Sequence, residues 1–294
     1  MGIITKLNLD QLNELVLSLN IKFVSFIETK NGITDTTYIA SDENHKRYVL
    51  KIYESSSKKD VQHEIDILNA LKDLIVPKVI SKNIEFYNSK PYVLYSCIEG
   101  KIPKYINLKR IEQITYFLSF LHKVDYKSEN KNIYTKDFLD SMLKKVLDDE
   151  NINKDVKNDF LSKYKKIENI DLSNNAFIHG DLFYDNAKFI DEKLCGVYDF
   201  SQSCYGNRYF DLAVMVLSWC FDGYNFNKEF FAKILEIYNK ELNSNISEEF
   251  LKNYLLCGCL YYSLQRCTRE NKLKDYNEFL KRFEIIEKTI KENK

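Results

Sequence analysis

The sequence predicts an α+β chain of two lobes: a small amino-terminal lobe built on a five-stranded antiparallel sheet with one main helix, then a larger, mostly helical carboxy-terminal lobe. Three observations predict it. Runs rich in β-branched and aromatic residues, punctuated by Gly, Asn and Asp turns, fill much of residues 1–97. Past Gly100 the apolar residues recur at helical spacing. Near residue 180 a polar loop and a short hairpin interrupt that helical region.

Residues 9–19 place Leu12, Leu15, Val16 and Leu19 on one helical face and open with Asp10 as a capping residue. Strands are expected over 22–29, 36–41 and 47–53, divided by Lys30-Asn31-Gly32 and Asp42-Glu43-Asn44 into a meander. The period then changes: 60–74 repeats Val61, Ile65, Leu68 and Leu71, with Glu64 beside that face and Pro77 beyond its end. Strands over 79–86 and 92–97, around the turn Tyr87-Asn88-Ser89-Lys90, complete the sheet. The amino-terminal lobe is thus 1–97 and the helical lobe 98–294, with a hinge at Tyr95-Ser96-Cys97-Ile98. Helices follow over 107–124, 137–147, 155–167, 211–220, 228–242, 247–268 and 274–290, with no internal repeat.

With 294 residues, 45% of them hydrophobic and 14% aromatic, the chain can bury a core in each lobe. Lys+Arg and Asp+Glu are equal at 43 each, so no long-range field gathers nucleic acid or an anionic membrane, and a small, locally recognised substrate is expected. Seven cysteines, an odd number, are scattered; the one close pair, Cys257-x-Cys259, lies in an apolar helical run, and all seven are expected as reduced thiols. The start lacks a charged segment followed by a long apolar core, no stretch offers eighteen uncharged apolar residues, and Lys6 stands where a myristoylation signal has Ser or Thr. A cytoplasmic location is expected.

The interrupting loop reads His179-Gly180-Asp181-Leu182-Phe183-Tyr184-Asp185-Asn186, and Asp199 follows thirteen residues after Asn186. Phosphoryl transfer needs a carboxylate to orient and deprotonate the attacking hydroxyl, and oxygen ligands to hold magnesium on the phosphates. Asp181 is the candidate base; Asn186 and Asp199, an amide oxygen and a carboxylate, suit a hard cation that keeps several waters. The β-prone runs 187–190 and 195–198 around Asp191-Glu192-Lys193 predict a hairpin that delivers Asp199 opposite Asn186. His179 is expected to hold the loop by hydrogen bonds, and Asp211 to cap the next helix and brace the loop, with Arg208 as its ion-pair partner.

On the nucleotide side, alternation in 49–53 points Lys51 away from Leu50 and Ile52, where it could reach phosphates, and Glu64 thirteen residues on could fix its direction. Thr34 and Thr36 occupy the position of a phosphate-covering loop that carries one glycine, Gly32. Ser96 and Cys97 of the hinge complete the candidate nucleotide contacts.

These residues resemble the aminoglycoside phosphotransferase and choline kinase superfamily, which has a bilobal protein-kinase-like fold and phosphorylates small hydroxylated metabolites. The loop, Tyr198-Asp199-Phe200, Tyr209-Phe210-Asp211-Leu212-Ala213, Trp219-Cys220 and the late Tyr262-Ser263-Leu264-Gln265-Arg266 look most like the kinase-fold type of homoserine kinase. The resemblance implies ATP and Mg²⁺ as cofactors, Asp181 activating the acceptor hydroxyl, Asn186 and Asp199 on magnesium, and Lys51 on the ATP phosphates. Gly180, Tyr184 and Ser218 depart from its usual alanine, arginine and acidic or amide residue.

For homoserine, Arg266 could receive the carboxylate. For choline, Tyr184, Trp219 and Tyr224 could form an aromatic cage. An aminoglycoside is a further alternative. A protein kinase is disfavoured by the absence of a glycine-rich loop, of His-Arg-Asp and of Ala-Pro-Glu, and by the mere twelve positions from Asp199 to Asp211. The non-enzymatic alternative is a nucleotide-binding pseudokinase scaffold.

Overall fold

Strands β1 (Phe23–Glu28), β2 (Thr36–Asp42), β3 (Arg47–Ile52), β4 (Glu85–Tyr87) and β5 (Lys90–Ser96) form one antiparallel sheet in the order β1-β2-β3-β5-β4. This is seen in a computed structural model that describes residues 3–29, 35–268 and 276–290. Alternation in β2 and β3 turns Tyr38, Ala40, Leu50 and Ile52 into a core shared with Leu12 and Val16 of α1 (Leu9–Val16). Each leucine, isoleucine or valine of that core removed from water contributes about 1.5–3 kcal/mol. The other face of β3 carries Lys51, with Tyr53 just past the strand. Helix α2 (Lys58–Ala70) starts at a Ser57–Asp60 capping box.

Two elements differ from expectation. Helix α1 is capped by Asn8, whose side chain accepts from Gln11 N at 2.9 Å while Gln11 Oε1 accepts from Asn8 N; Asp10 lies inside the first turn. The strand expected over 79–86 is reduced to Glu85–Tyr87, because before it the chain meets β5 only at a Val79–Tyr95 bridge and at Leu94 O, which takes both Ile80 N and Ser81 N. The Asn88-Ser89 turn has φ of 48° and 66°, the pair of positive values that a tight two-residue hairpin requires.

The chain divides into two compact units, Met1–Lys101 with Cys195–Ser201, and Ile102–Leu194 with Gln202–Lys294. The segment 195–201 thus joins the first unit, whereas the sequence assigned everything past 97 to the second. Val197 N donates to Ile75 O at 3.0 Å, and Gly196 lies so close to Ile98 that an added Cβ would sit 2.6 Å from its Cδ1.

The second unit contains α3 (Leu108–Leu121), α4 (Lys136–Asp148), α5 (Lys154–Lys165), α6 (Arg208–Trp219), α7 (Lys228–Leu242), α8 (Glu248–Cys267) and α9 (Tyr276–Thr289). Helix α6 is buried at every position from Phe210 to Trp219, and α8 from Tyr254 to Leu264, so both are central. Short strands β6 (Ala176–Ile178) and β9 (Cys204–Gly206) pair antiparallel, which sets His179 and Ser203 side by side. Strands β7 (Ala187–Ile190) and β8 (Lys193–Val197) form a hairpin, and β10 (Phe221–Asp222) pairs with β11 (Asn225–Phe226). None of the seven cysteines, all among the described residues, forms a disulfide. Among the described residues no helix is long and apolar enough to cross a membrane.

Candidate active site

The loop from His179 to Asn186 leaves β6 and closes on itself. Asp181 O accepts from Phe183 N at 2.8 Å and from Asn186 Nδ2 at 2.8 Å, and Asn186 N donates to Phe183 O, so Tyr184–Asn186 makes one 3₁₀ turn. The five-residue spacing therefore returns the asparagine to Asp181. Because its nitrogen is committed to the Asp181 carbonyl, Asn186 has its oxygen as the end suited to a cation.

Asp211 holds this loop from below. It is fully buried; Oδ2 accepts from His179 N at 2.9 Å and from the His122 ring at 3.0 Å, and Oδ1 accepts from Gly180 N at 2.8 Å. Burial pushes the Asp211 carboxyl up, but the hydrogen bond and charge of His122, with those of His179, outweigh it and hold the group below the ordinary carboxylate value. His122 Nδ1 meets Tyr238 Oη at 2.6 Å, which completes a buried line Tyr238–His122–Asp211. The expected capping role is corrected: Asn207 caps α6, accepting from Tyr209 N and Phe210 N, and Asp211 sits a turn later. Arg208 bonds the Tyr209 hydroxyl, so the ion-pair partner of Asp211 is His122. His179, itself buried, accepts Asp181 N on Nδ1 at 3.2 Å and takes the Ser203 hydroxyl on its carbonyl.

Above the loop, Tyr262 Oη lies 3.1 Å from Gly180 O and 3.4 Å from Asp181 Oδ1. Its ring stacks on Phe279 and stands edge-on to Phe183. Tyr262 opens a segment quoted for its resemblance, but no local pattern assigns it, Tyr238 or His122 a place at this loop, since their roles come from contacts 82, 116 and 89 positions apart in the chain.

Gly180 has φ +81°, and a Cβ there would fall 2.5 Å from the Tyr134 ring. Tyr134, whose hydroxyl donates to Gln202, thus occupies the space that an alanine would need. Gly180→Ala is expected to cost about 2 kcal/mol, from left-handed strain and the displaced ring, and to lower kcat as the loop shifts. Thermal melts together with turnover check this; an unchanged melting temperature would show that the loop and ring yield freely.

In the first unit, Lys51 Nζ lies 3.1 and 3.3 Å from the two Glu64 oxygens and 3.5 Å from Asp35 Oδ2. Burial works against the ammonium, but the charges of Glu64, Asp35 and Asp199 outweigh it and raise the Lys51 pKa above the ordinary lysine value. Asp199 adopts φ +67° and accepts the Ser201 hydroxyl on Oδ1 at 2.7 Å. A carboxylate of this kind is a hard donor, the chemistry that suits magnesium, a cation usually bound through one or two protein oxygens and phosphates. Among the described residues no group of three or more His, Cys, Asp or Glu could hold a metal.

Other candidates move. Thr36 is fully buried, its hydroxyl accepting Ile4 N and Thr5 N and donating to Glu54, so it ties the amino-terminal segment to the sheet and cannot meet phosphates. Thr34 lies outside the described residues. Ser96 N donates to Lys78 O and Cys97 N to Arg47 O, so both backbone donors are already taken. Trp219 is 1% exposed and donates Nε1 to Leu182 O at 3.0 Å, so it anchors the loop and cannot line an acceptor cage. Tyr184 and Tyr224 remain exposed at 45% and 49%. Ser218 accepts Tyr184 N, a role its hydroxyl fills in place of a larger polar group. Arg266 packs over the Phe279 ring and pairs with Glu278, which also binds Arg282.

An antiparallel sheet carrying a lysine–glutamate pair, followed in the chain by a helical unit with a braced Asp–Asn loop, defines the protein-kinase-like phosphotransferase fold. Spectinomycin phosphotransferase APH(9)-Ia, solved with ADP and spectinomycin, shares this fold at a TM-score of 0.66 and 15% identity, with 96% of this chain and 98% of that chain covered. Choline kinase LicA from Streptococcus pneumoniae does so at 0.61 and 19%, covering 94% and 96%. The chain belongs to the phosphotransferase enzyme family (APH), whose profile matches residues 26–238. A homoserine kinase of Methylobacillus flagellatus is 26% identical over 201 residues, 65% of this chain; the match spans 62% of that relative's length.

Proposed function

We propose that this chain is an ATP- and magnesium-dependent small-molecule kinase that transfers the γ-phosphoryl group to a metabolite hydroxyl, with homoserine as the first acceptor to test. The observation that carries the reading is the loop in which Asn186 closes onto the Asp181 carbonyl while Asp211 holds His179 N and Gly180 N. Family membership and the homoserine kinase relative support it.

In this reading Asp181 orients the acceptor hydroxyl and takes its proton as the oxygen attacks the γ-phosphorus, and the Tyr262 hydroxyl steadies the Asp181 carboxylate. Lys51, fixed by Glu64, faces the phosphates as an ammonium whose proton its carboxylate neighbours help it keep. Asn186 and Asp199 are the residues that would hold magnesium, which when bound would neutralise phosphate charge. Arg266 and Glu278 supply the opposite charges that an amino-acid acceptor presents, a guanidinium for its carboxylate and a carboxylate for its ammonium. A choline acceptor is less well served, because the burial of Trp219 removes the cage's central ring. With balanced charge and no membrane-length helix among the described residues, a small molecule in the cytoplasm is the partner this reading expects.

The test is ATP consumption with magnesium against homoserine, choline, ethanolamine, methylthioribose, aminoglycosides and simple sugars. Homoserine is expected to exceed every other acceptor in kcat/KM by at least about tenfold, a margin of roughly 1.4 kcal/mol in the transition state. Turnover with a different hydroxyl compound would keep the centre and replace the acceptor. No turnover with any of them would sink the kinase reading in favour of a nucleotide-binding scaffold.

A further inference from the structure

We propose that Tyr53 and Tyr95 form a hydroxyl relay that fixes the Lys51–Glu64 pair for nucleotide phosphates and couples that pair to the strand leading into the hinge. The proposal rests on the kinase reading and deepens its nucleotide side.

Tyr53 Oη lies 2.8 Å from Glu64 Oε2 and 2.6 Å from Tyr95 Oη, and both tyrosines are buried. Burial pushes both phenols well up, so each keeps its one proton. The Glu64 carboxylate, paired with an ammonium, offers only acceptors, so Tyr53 donates to it, and the Tyr95 proton must then go to the Tyr53 oxygen. The order is Tyr95 to Tyr53 to Glu64 to Lys51, a chain in which each hydrogen bond polarises the next.

The sheet register makes this chain possible. Lys51 lies opposite Val93 and Val49 opposite Tyr95, so Lys51 and Tyr95 share a face as diagonal neighbours. Tyr53, two residues beyond Lys51, returns to the same face; its ring lies 4.3 Å from Lys51 Nζ while its hydroxyl holds Glu64. One side chain thus touches both members of the ion pair. A glutamate held by lysine alone could swing about that single contact; with Oε2 also taken by Tyr53, its carboxylate plane is set. Tyr95 immediately precedes Ser96 and Cys97, so a shift in that strand is passed to the lysine.

Tyr53→Phe keeps the ring beneath Lys51 and removes only the hydroxyl, and Tyr95→Phe reads the same chain from its far end. Calorimetric titration of Mg-ATP, Mg-ADP and adenosine separates phosphate positioning from packing, because adenosine has no phosphate for Lys51 to meet. Tyr53→Phe is expected to weaken ATP and ADP about tenfold and Tyr95→Phe about threefold, the range for losing a buried hydrogen bond to a charged group, with adenosine affinity unchanged. In a Glu64→Gln background, Tyr53→Phe should add less than about twofold, since the relay then has no carboxylate to orient. Equal losses for ATP and adenosine, or ATP affinity untouched by both substitutions, would overturn the relay while the kinase reading stands. A wild-type protein that binds no Mg-ATP overturns the kinase reading and the relay's role with it.

Discussion

Asp181→Asn is expected to lower kcat by about 10³-fold or more while leaving ATP affinity within about twofold of wild type. In the proposed reading Asp181 is a positioned base, whose contribution belongs to the transition state. The substitution keeps the size of the side chain and leaves the backbone carbonyl that receives Phe183 N and Asn186 Nδ2 in place, so the loop should persist. Single-turnover kinetics with saturating ATP, beside nucleotide titration, distinguish the two effects. Near-normal turnover would move the base elsewhere, and a parallel collapse of ATP binding would show that Asp181 holds the loop and not the proton.

Asp211→Ala should be the most destabilising single change near the site. It strands His179 N, Gly180 N and the His122 ring inside the protein with no acceptor, a loss of about 3–5 kcal/mol. For a chain of this size that lowers the melting temperature by about 10 °C. The pH dependence has a definite sign. The folded-state pKa of Asp211 is depressed, so its stabilisation is complete above the ordinary carboxylate value of about 3.9 and fades as the pH falls below it toward the folded value. The gap in melting temperature between wild type and variant is therefore constant from neutral pH to about pH 5 and narrows below pH 4. A fall of less than about 3 °C at neutral pH would mean that the loop is held by something else.

The closed Asp181–Asn186 loop and the Lys51–Glu64 pair were legible in the sequence because they are compressed into local spacing. The interval from Asp181 to Asn186 and the position of Lys51 on an alternating strand follow from chain geometry alone, and so does the five-stranded sheet. What escaped depends on contacts that no local pattern encodes. Asp211 reads as a helix cap since it lies near the start of an apolar run, yet Asn207 takes that task and frees Asp211 to go inward. Trp219 reads as an aromatic wall, but its indole nitrogen is spent on Leu182 O. Thr36 reads as a hydroxyl for phosphates and is consumed by Glu54 and two backbone amides. In each case a polar side chain followed the demand of a buried partner, and that demand is visible only once distant segments are brought together.

The membership of Cys195–Ser201 in the first unit bears on how such a protein can be taken apart. The sheet unit is a contiguous body but not a contiguous stretch of chain: after Lys101 the polypeptide builds the first half of the second unit, returns to contribute seven residues, and leaves again. No single cut releases it whole. A fragment ending at Lys101 would lack the strand that satisfies Ile75 O and the glycine face that covers Ile98. It would also lack Asp199. The sheet unit and the helical unit are therefore not interchangeable cassettes, and recombination between relatives has to carry the two together or rebuild the interleaved segment.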